Sequence, residues 1–238
     1  MRGLKAIFKK QIKDIMKNMS VLIQFIIFPV VAFAMTELVV DDNFNMPRTI
    51  FVTMMASVFV GMALITVSAG IIAEDREKKS LRFLIMAGVK PSAYLLGIGG
   101  VILLVSLLPT LAFGLIGRFS REEFVLFVAV MVSTIGASIL LGLTVGIFAN
   151  NQQAAMGLAM PIAVVLGFGP MISSFNGQVA QIFSPFYTQQ LNVVVDNFYS
   201  VNGSHTGTSL WQPFTIIWAN IAVLIALFTF AFMKKSLN

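Results

Sequence analysis

The run FVLFVAVMVSTIGASILLGLTVGIFANNQQAAMGLAMPIAVVLGFGPMISS, residues 124–174, contains no Asp, Glu, Lys, Arg or His. Charge is the costliest thing to place in bilayer hydrocarbon, and a helix needs roughly 20 mostly apolar residues to cross it. The run is too long for one crossing. Asn150-Asn151-Gln152-Gln153 is a polar turn that divides it into two spans, expected near 123–149 and 153–174. The uncharged stretch continues to residue 195, past a second polar turn at Ser173-Ser174-Phe175-Asn176-Gly177. Working outward, the uncharged windows 18–36, 49–73 and 91–117 each fit one span, expected over 20–38, 49–73 and 92–117. In the last window, 197–233, the first part to Gln212 is polar, which leaves a sixth span over 213–233.

The composition excludes the other classes. Of 238 residues, 58% are hydrophobic and 11% charged, against about a quarter charged in ordinary globular chains. A soluble fold of that make-up would expose large apolar patches. Disordered, collagen-like and coiled-coil chains need charge or repeats that are missing here. There is no cysteine, hence no disulfide, thiolate metal site or Cys nucleophile, and the single His205 leaves no His-rich metal centre. The expected fold is an all-α integral membrane protein, one transmembrane domain over residues 1–238.

Orientation follows from the basic residues. Arg2, Lys5, Lys9, Lys10, Lys13 and Lys17 precede the first span. Arg76, Lys78, Lys79, Arg82 and Lys90 lie between the second and third, and Lys234 and Lys235 follow the sixth. These are thirteen of the sixteen Lys and Arg, all on one face; Arg48, Arg118 and Arg121 lie on the other. Both termini are therefore expected in the cytoplasm of a multi-pass protein of a cell membrane, with a bacterial source. A secretory signal is the competing reading of the basic start and the apolar run ending Ala32-Phe33-Ala34. The basic region is too long for one, and cleavage would strand five helices.

Three segments are not plain spans. Residues 3–19 place Leu4, Phe8, Ile12, Ile15, Met16 and Met19 at helical spacing, with Lys5, Lys9, Lys13 and Lys17 on another face. That pattern predicts an amphipathic helix on the inner leaflet, with Lys5, Phe8, Lys9, Ile12, Lys13 and Met16 at the membrane interface and anionic lipid as partner. The loop Glu74-Asp75-Arg76-Glu77-Lys78-Lys79-Ser80-Leu81-Arg82-Phe83-Leu84 mixes charges and then turns apolar. It suits a short cytoplasmic helix that offers side chains to a partner, over 74–91. The third segment, 175–212, is too polar for a span and too apolar for a free loop. Ser184-Pro185 should break it into two short helices, a partly re-entrant outer hairpin with Tyr187, Tyr199 and Trp211 near the interface.

Taken together, the amphipathic start, six spans, charged loop and Pro-broken hairpin resemble the ATP-binding cassette type-2 permeases along the whole chain. Family members commonly carry an acidic/basic run, Gly-Thr-Leu-Glu, apolar residues and a proline in the loop. Here Glu74 to Glu77 is followed by Lys79-Ser80-Leu81-Arg82 and Pro91, with Lys79 in place of the Gly and Arg82 in place of the Glu. Ser184-Pro185 looks like the family's outer-hairpin proline. The resemblance implies a type V exporter fold, with two permeases (two copies, or a copy and a homologue) joined to two ATPase subunits. It also implies that the loop docks as a coupling helix, through Glu74, Asp75, Arg76, Glu77, Lys79, Ser80, Leu81, Arg82 and Phe83.

This chain has no Gly-x-x-x-x-Gly-Lys-Ser/Thr run. No cofactor is expected on it; ATP and Mg belong to a separate ATPase subunit, and the permease is not itself an enzyme. No ionisable group falls at mid-membrane in this parse, which argues against proton- or sodium-coupled carriage. Within the spans, Gly142 and Gly146 suit close helix approach. Thr53, Ser57, Gly61 and Ser68 on the second span could line a translocation path or could pack. The expected function is export of a hydrophobic or amphipathic molecule: an antimicrobial peptide, a drug or a lipid-linked compound. Alternatives are a non-transporting sensor or immunity protein and, behind it, an ion-coupled carrier.

Overall fold

A computed structural model describes residues 2–39, 49–78, 91–199 and 211–236, and every regular element among them is helical. In chain order these are α1 (Arg2–Lys17), α2 (Met19–Val39), α3 (Thr49–Glu77), α4 (Pro91–Ile116), α5 (Arg121–Phe148), α6 (Gln152–Ser173), α7 (Gly177–Phe183), α8 (Tyr187–Asp196) and α9 (Trp211–Ser236). Six of them, α2 to α6 and α9, are long and apolar enough to cross a membrane. The chain is thus a multi-pass membrane protein.

Helix ends are set by side chains, as the sequence pattern requires. Ser120 and Glu123 form a capping box at the start of α5: Ser120 N–H donates to Glu123 Oε2 at 2.8 Å, and Glu123 N–H to Ser120 Oγ at 3.4 Å. The turn at 150–153 works the same way, with Asn151 Oδ1 accepting from Ala154 N–H at 2.8 Å to open α6. Asn18 closes α1 and opens α2, its Oδ1 accepting from Val21 N–H at 3.4 Å.

The axis of the bundle is α3. Of its most apolar stretch 78% is buried, against 28% for α2 and 22% for α9, so α3 is sheathed by protein while those two present most of their surface outward. One turn of α3, Phe59–Ala63, is π-helical. Phe59 within it is fully buried among Phe25, Phe28 and Phe113, at ring centroid distances of 5.5, 6.2 and 5.9 Å, and joins α2, α3 and α4. Two residues on, Gly61 meets Gly167 of α6 backbone to backbone; a Cβ there would lie 2.5 Å from Gly167 N. On the neighbouring side α5 lies equally close, and a Cβ on Gly142 would fall 2.5 Å from Ile65 O.

At 29 residues, α3 is roughly 43 Å long by its rise per residue. That exceeds a hydrocarbon core of about 30 Å, so its last turns emerge at the bilayer edge. The expected end at 73 falls short because Glu74, Asp75, Arg76 and Glu77 continue the helix, each held by a partner described below. The loop read over 74–91 therefore begins one turn later. Its remaining expected contact residues, Lys79, Ser80, Leu81, Arg82 and Phe83, lie outside the described residues.

Candidate functional site

The last turn of α3 is where charge, burial and helix termini meet. Asp75 is 6% exposed, and its two carboxylate oxygens accept from Lys10 Nζ and Gln11 Nε2, both at 3.1 Å. Both donors belong to α1, so the amphipathic helix is bolted to the base of α3. Arg76 points the other way. Its guanidinium donates to the carbonyls of Ile147 and of Ala149, the latter at 3.0 Å, at the C-terminus of α5. Those carbonyls have no partner within the helix and sit at the negative pole of its dipole, where a cation is favoured. Glu77 completes the set by accepting from Gln152 N–H at 3.2 Å, in the first turn of α6, where an anion is favoured. Glu74 receives Lys78, and that hydrogen bond holds the Lys78 ammonium above the ordinary lysine range.

Successive residues of one turn thus grip three different elements: α1 through Asp75, the end of α5 through Arg76 and the start of α6 through Glu77. None of the three needs to turn outward to find a partner. Asp75 and Arg76, two of the expected coupling residues, make these bonds within the chain. What the turn can do mechanically is pass any displacement of the segment after Lys78 to α1 and to the α5–α6 turn together.

The amphipathic helix α1 divides its apolar residues between two surfaces. Ile15 and Gln11 are buried against the bundle, and Phe8 packs beside Gly100 of α4. Ile12 and Met16 are exposed, 37% and 58%, next to the exposed Lys9 and Lys13. The side chain of Lys5 is outside the described ones.

A second polar constellation lies toward the Thr49 end of α3. Ser184, Pro185 and Phe186 separate α7 from α8, and α8 inserts an amide-rich face into the bundle. Asn192, 2% exposed, donates to Pro170 O of α6 at 2.9 Å, and its Oδ1 accepts from the Ser57 hydroxyl of α3 at 2.6 Å. Tyr187, equally buried, shares a hydrogen bond of 2.9 Å with Ser138 of α5. The carbonyls freed by the break are satisfied too: Ser184 O accepts from Gln190, and Pro185 O from Asn220 of α9 at 2.9 Å. This explains how a broken backbone is tolerated inside a bundle of membrane helices. Asn192 and Asn220 were not singled out as site residues. The signal in the sequence is an amide within an apolar stretch, which only a hydrogen-bond partner justifies.

The residues read as possible path lining are not on an open surface. Thr53 is 5% exposed and bonds to Thr49 O at 2.8 Å; Ser57 is engaged by Asn192, Gly61 by Gly167, and Ser68 is fully buried. The open feature nearby is a cleft of about 390 Å³ between α2, α3 and α6. Phe28, Met62, Met156 and Met160 form its walls, and Gln24 with Thr66 its one polar patch. The Thr66 hydroxyl lies 2.9 Å from Met62 O and 3.4 Å from Gln24 Oε1.

No curated protein matches the chain. The sequence profile of the family described as ABC-2 family transporter protein does match, over residues 4–233. Six apolar helices of the right length, and a match that covers nearly every residue of them, place the chain in that family, as a membrane permease subunit of an ABC transporter that works with an ABC ATPase subunit.

Proposed function

We propose that the chain is the permease of an ATP-driven exporter that moves a hydrophobic or amphipathic molecule out of the cell. Two permeases and two ATPase subunits make the working unit. ATP and Mg are handled by the ATPase, and this chain changes no bond. Both termini lie in the cytoplasm, so the Glu77 end of α3 faces the ATPase and the α7–α8 hairpin dips in from the outer side. The observation that carries the reading is the grip of one helical turn on α1, α5 and α6, directly before the segment 79–90 that the coupling contact requires. Docking there displaces α3, and Arg76 and Glu77 carry the α5–α6 turn with it. The methionine-walled cleft between α2, α3 and α6 then offers the substrate a soft apolar surface with one hydrogen-bonding patch.

Arg76→Glu and Glu77→Lys, made separately in the complete transporter, test the reading. Each sets a charge against the wrong helix pole. ATPase subunits should still co-purify and hydrolyse ATP, while ATP-dependent uptake of lipophilic dyes or fluorescent lipid into inside-out vesicles falls about tenfold or more, a coupling loss in the usual range. Wild-type uptake by both variants sinks the transmission role. Purification without any ATPase subunit sinks the transporter reading itself.

A further inference from the structure

Between α1, the first turn of α2 and the base of α3 lies a cavity of about 750 Å³. Three lysines and three carboxylates line it, so its charge sums to zero. Two pairs are closed within the chain, Lys10 with Asp75 at 3.1 Å and Lys78 with Glu74. Lys17 and Asp14 remain. They are one helical turn apart on α1, both exposed, and among the described residues neither is in an ion pair. We propose that this cavity seats the headgroup of phosphatidylethanolamine from the inner leaflet, its phosphate at Lys17 and its ammonium at Asp14.

The chemistry selects this headgroup over the alternatives. A purely anionic headgroup would satisfy Lys17 but face the Asp14 carboxylate across a cavity with no net positive charge. A choline headgroup has the right charges, yet its quaternary nitrogen carries no N–H to donate to Asp14, and the strong form of the contact is the charge-assisted hydrogen bond. Acyl chains have a place as well. Met19 at the cavity edge is followed along α2 by Ile23, Ile27 and Val30, all about half exposed or more, at one-turn spacing that makes a continuous apolar track toward the bilayer centre. The inference rests on the interfacial placement of α1 and not on export direction or energy source.

The test uses the complete transporter in nanodiscs of equimolar phosphatidylethanolamine, phosphatidylglycerol and phosphatidylcholine. After gentle transfer to detergent, the lipid retained is counted by native mass spectrometry. Wild type should keep phosphatidylethanolamine about tenfold over the other two, the ratio expected from one charge-assisted contact. Asp14→Asn should shift the preference to phosphatidylglycerol, and Lys17→Gln should release both. Arg121→Gln, on the exposed start of α5 and away from the cavity, should change nothing and guards against a general effect of removing a basic residue. Equal retention of phosphatidylglycerol by wild type, or undiminished phosphatidylethanolamine in both cavity variants, overturns the headgroup site alone. Displacement by water-soluble phosphoethanolamine at equal concentration also overturns it, in favour of a soluble ligand. Retention of no lipid by wild type overturns the placement of α1 with it.

Discussion

Ser57 and Asn192 are 135 positions apart in the chain and 2.6 Å apart in the fold. Their contact is what an apolar bundle does with unavoidable polarity: each amide or hydroxyl taken from water must find a partner, since an orphaned one costs about 1–3 kcal/mol. Asn192 meets that demand by bonding to α3 and α6 together. Ser57→Ala leaves Asn192 Oδ1 without its donor but keeps the bond to Pro170 O. Asn192→Leu removes both bonds that tie α8 to α3 and α6, although Ser57 keeps Thr53 O at 2.9 Å and Pro170 O keeps the Ser174 hydroxyl at 3.3 Å. We expect Ser57→Ala to lower the thermal midpoint of the detergent-purified protein modestly, and Asn192→Leu to lower it by more. Equal or raised midpoints in both would show that the hairpin is not held by this bond. The same logic reads the base of α3. Lys10 is about half exposed, so its loss is partly made good by water, whereas Asp75 is buried and has Gln11 among the partners that keep it satisfied.

At the scale of the helices, close approach is bought with glycine and polarity together. The pair Gly142 and Gly146 on α5 lies against the backbone of α3 at Ile65 and Ala69, and a Cβ at either would come within 2.5 Å of a carbonyl oxygen. Gly136, on the same helix, has nothing within 4 Å of the corresponding point. Gly142→Ala and Gly146→Ala must therefore push α5 off α3. We expect each to destabilise by about 1–3 kcal/mol, the cost of overpacking, while Gly136→Ala is neutral or slightly stabilising. Thermal unfolding of the three variants side by side decides it, and a uniform response would mean that α5 and α3 are not in contact there. The glycine spacing was legible in the sequence; which helix it met was not. Spans that are apolar all round carry no stripe to say which face is buried, so Thr53, Ser57, Gly61 and Ser68 read equally well as path or packing. In the single chain all four are buried. The charged run at Glu74 stood out for the opposite reason, because charge is rare in this chain. Its composition marked the place, yet it could not show that Asp75 turns toward α1 and Arg76 toward α5. Those directions come from partners 64 and more positions away.

For the whole molecule, the uneven distribution of lysine and arginine is the feature that the number and order of helices turn into a prediction. Thirteen of sixteen basic residues fall on one side of the six crossings, and retention of positive charge on the cytoplasmic side orients the bundle. An even number of crossings then returns the chain to the side it started from. In that orientation the α4–α5 turn, with Arg118 beside Glu37 at 3.9 Å, and the hairpin α7–α8 are expected on the outer side. Because the chain contains no cysteine, any single one introduced is the sole thiol. Lys13→Cys on exposed α1 and Glu122→Cys on the exposed start of α5 leave the buried contacts untouched. In intact cells a membrane-impermeant maleimide should label Glu122→Cys and not Lys13→Cys, and inside-out vesicles should reverse the pattern. Labelling of Lys13→Cys from outside would invert the topology, and with it the assignment of the Asp75–Glu77 turn to the ATPase side.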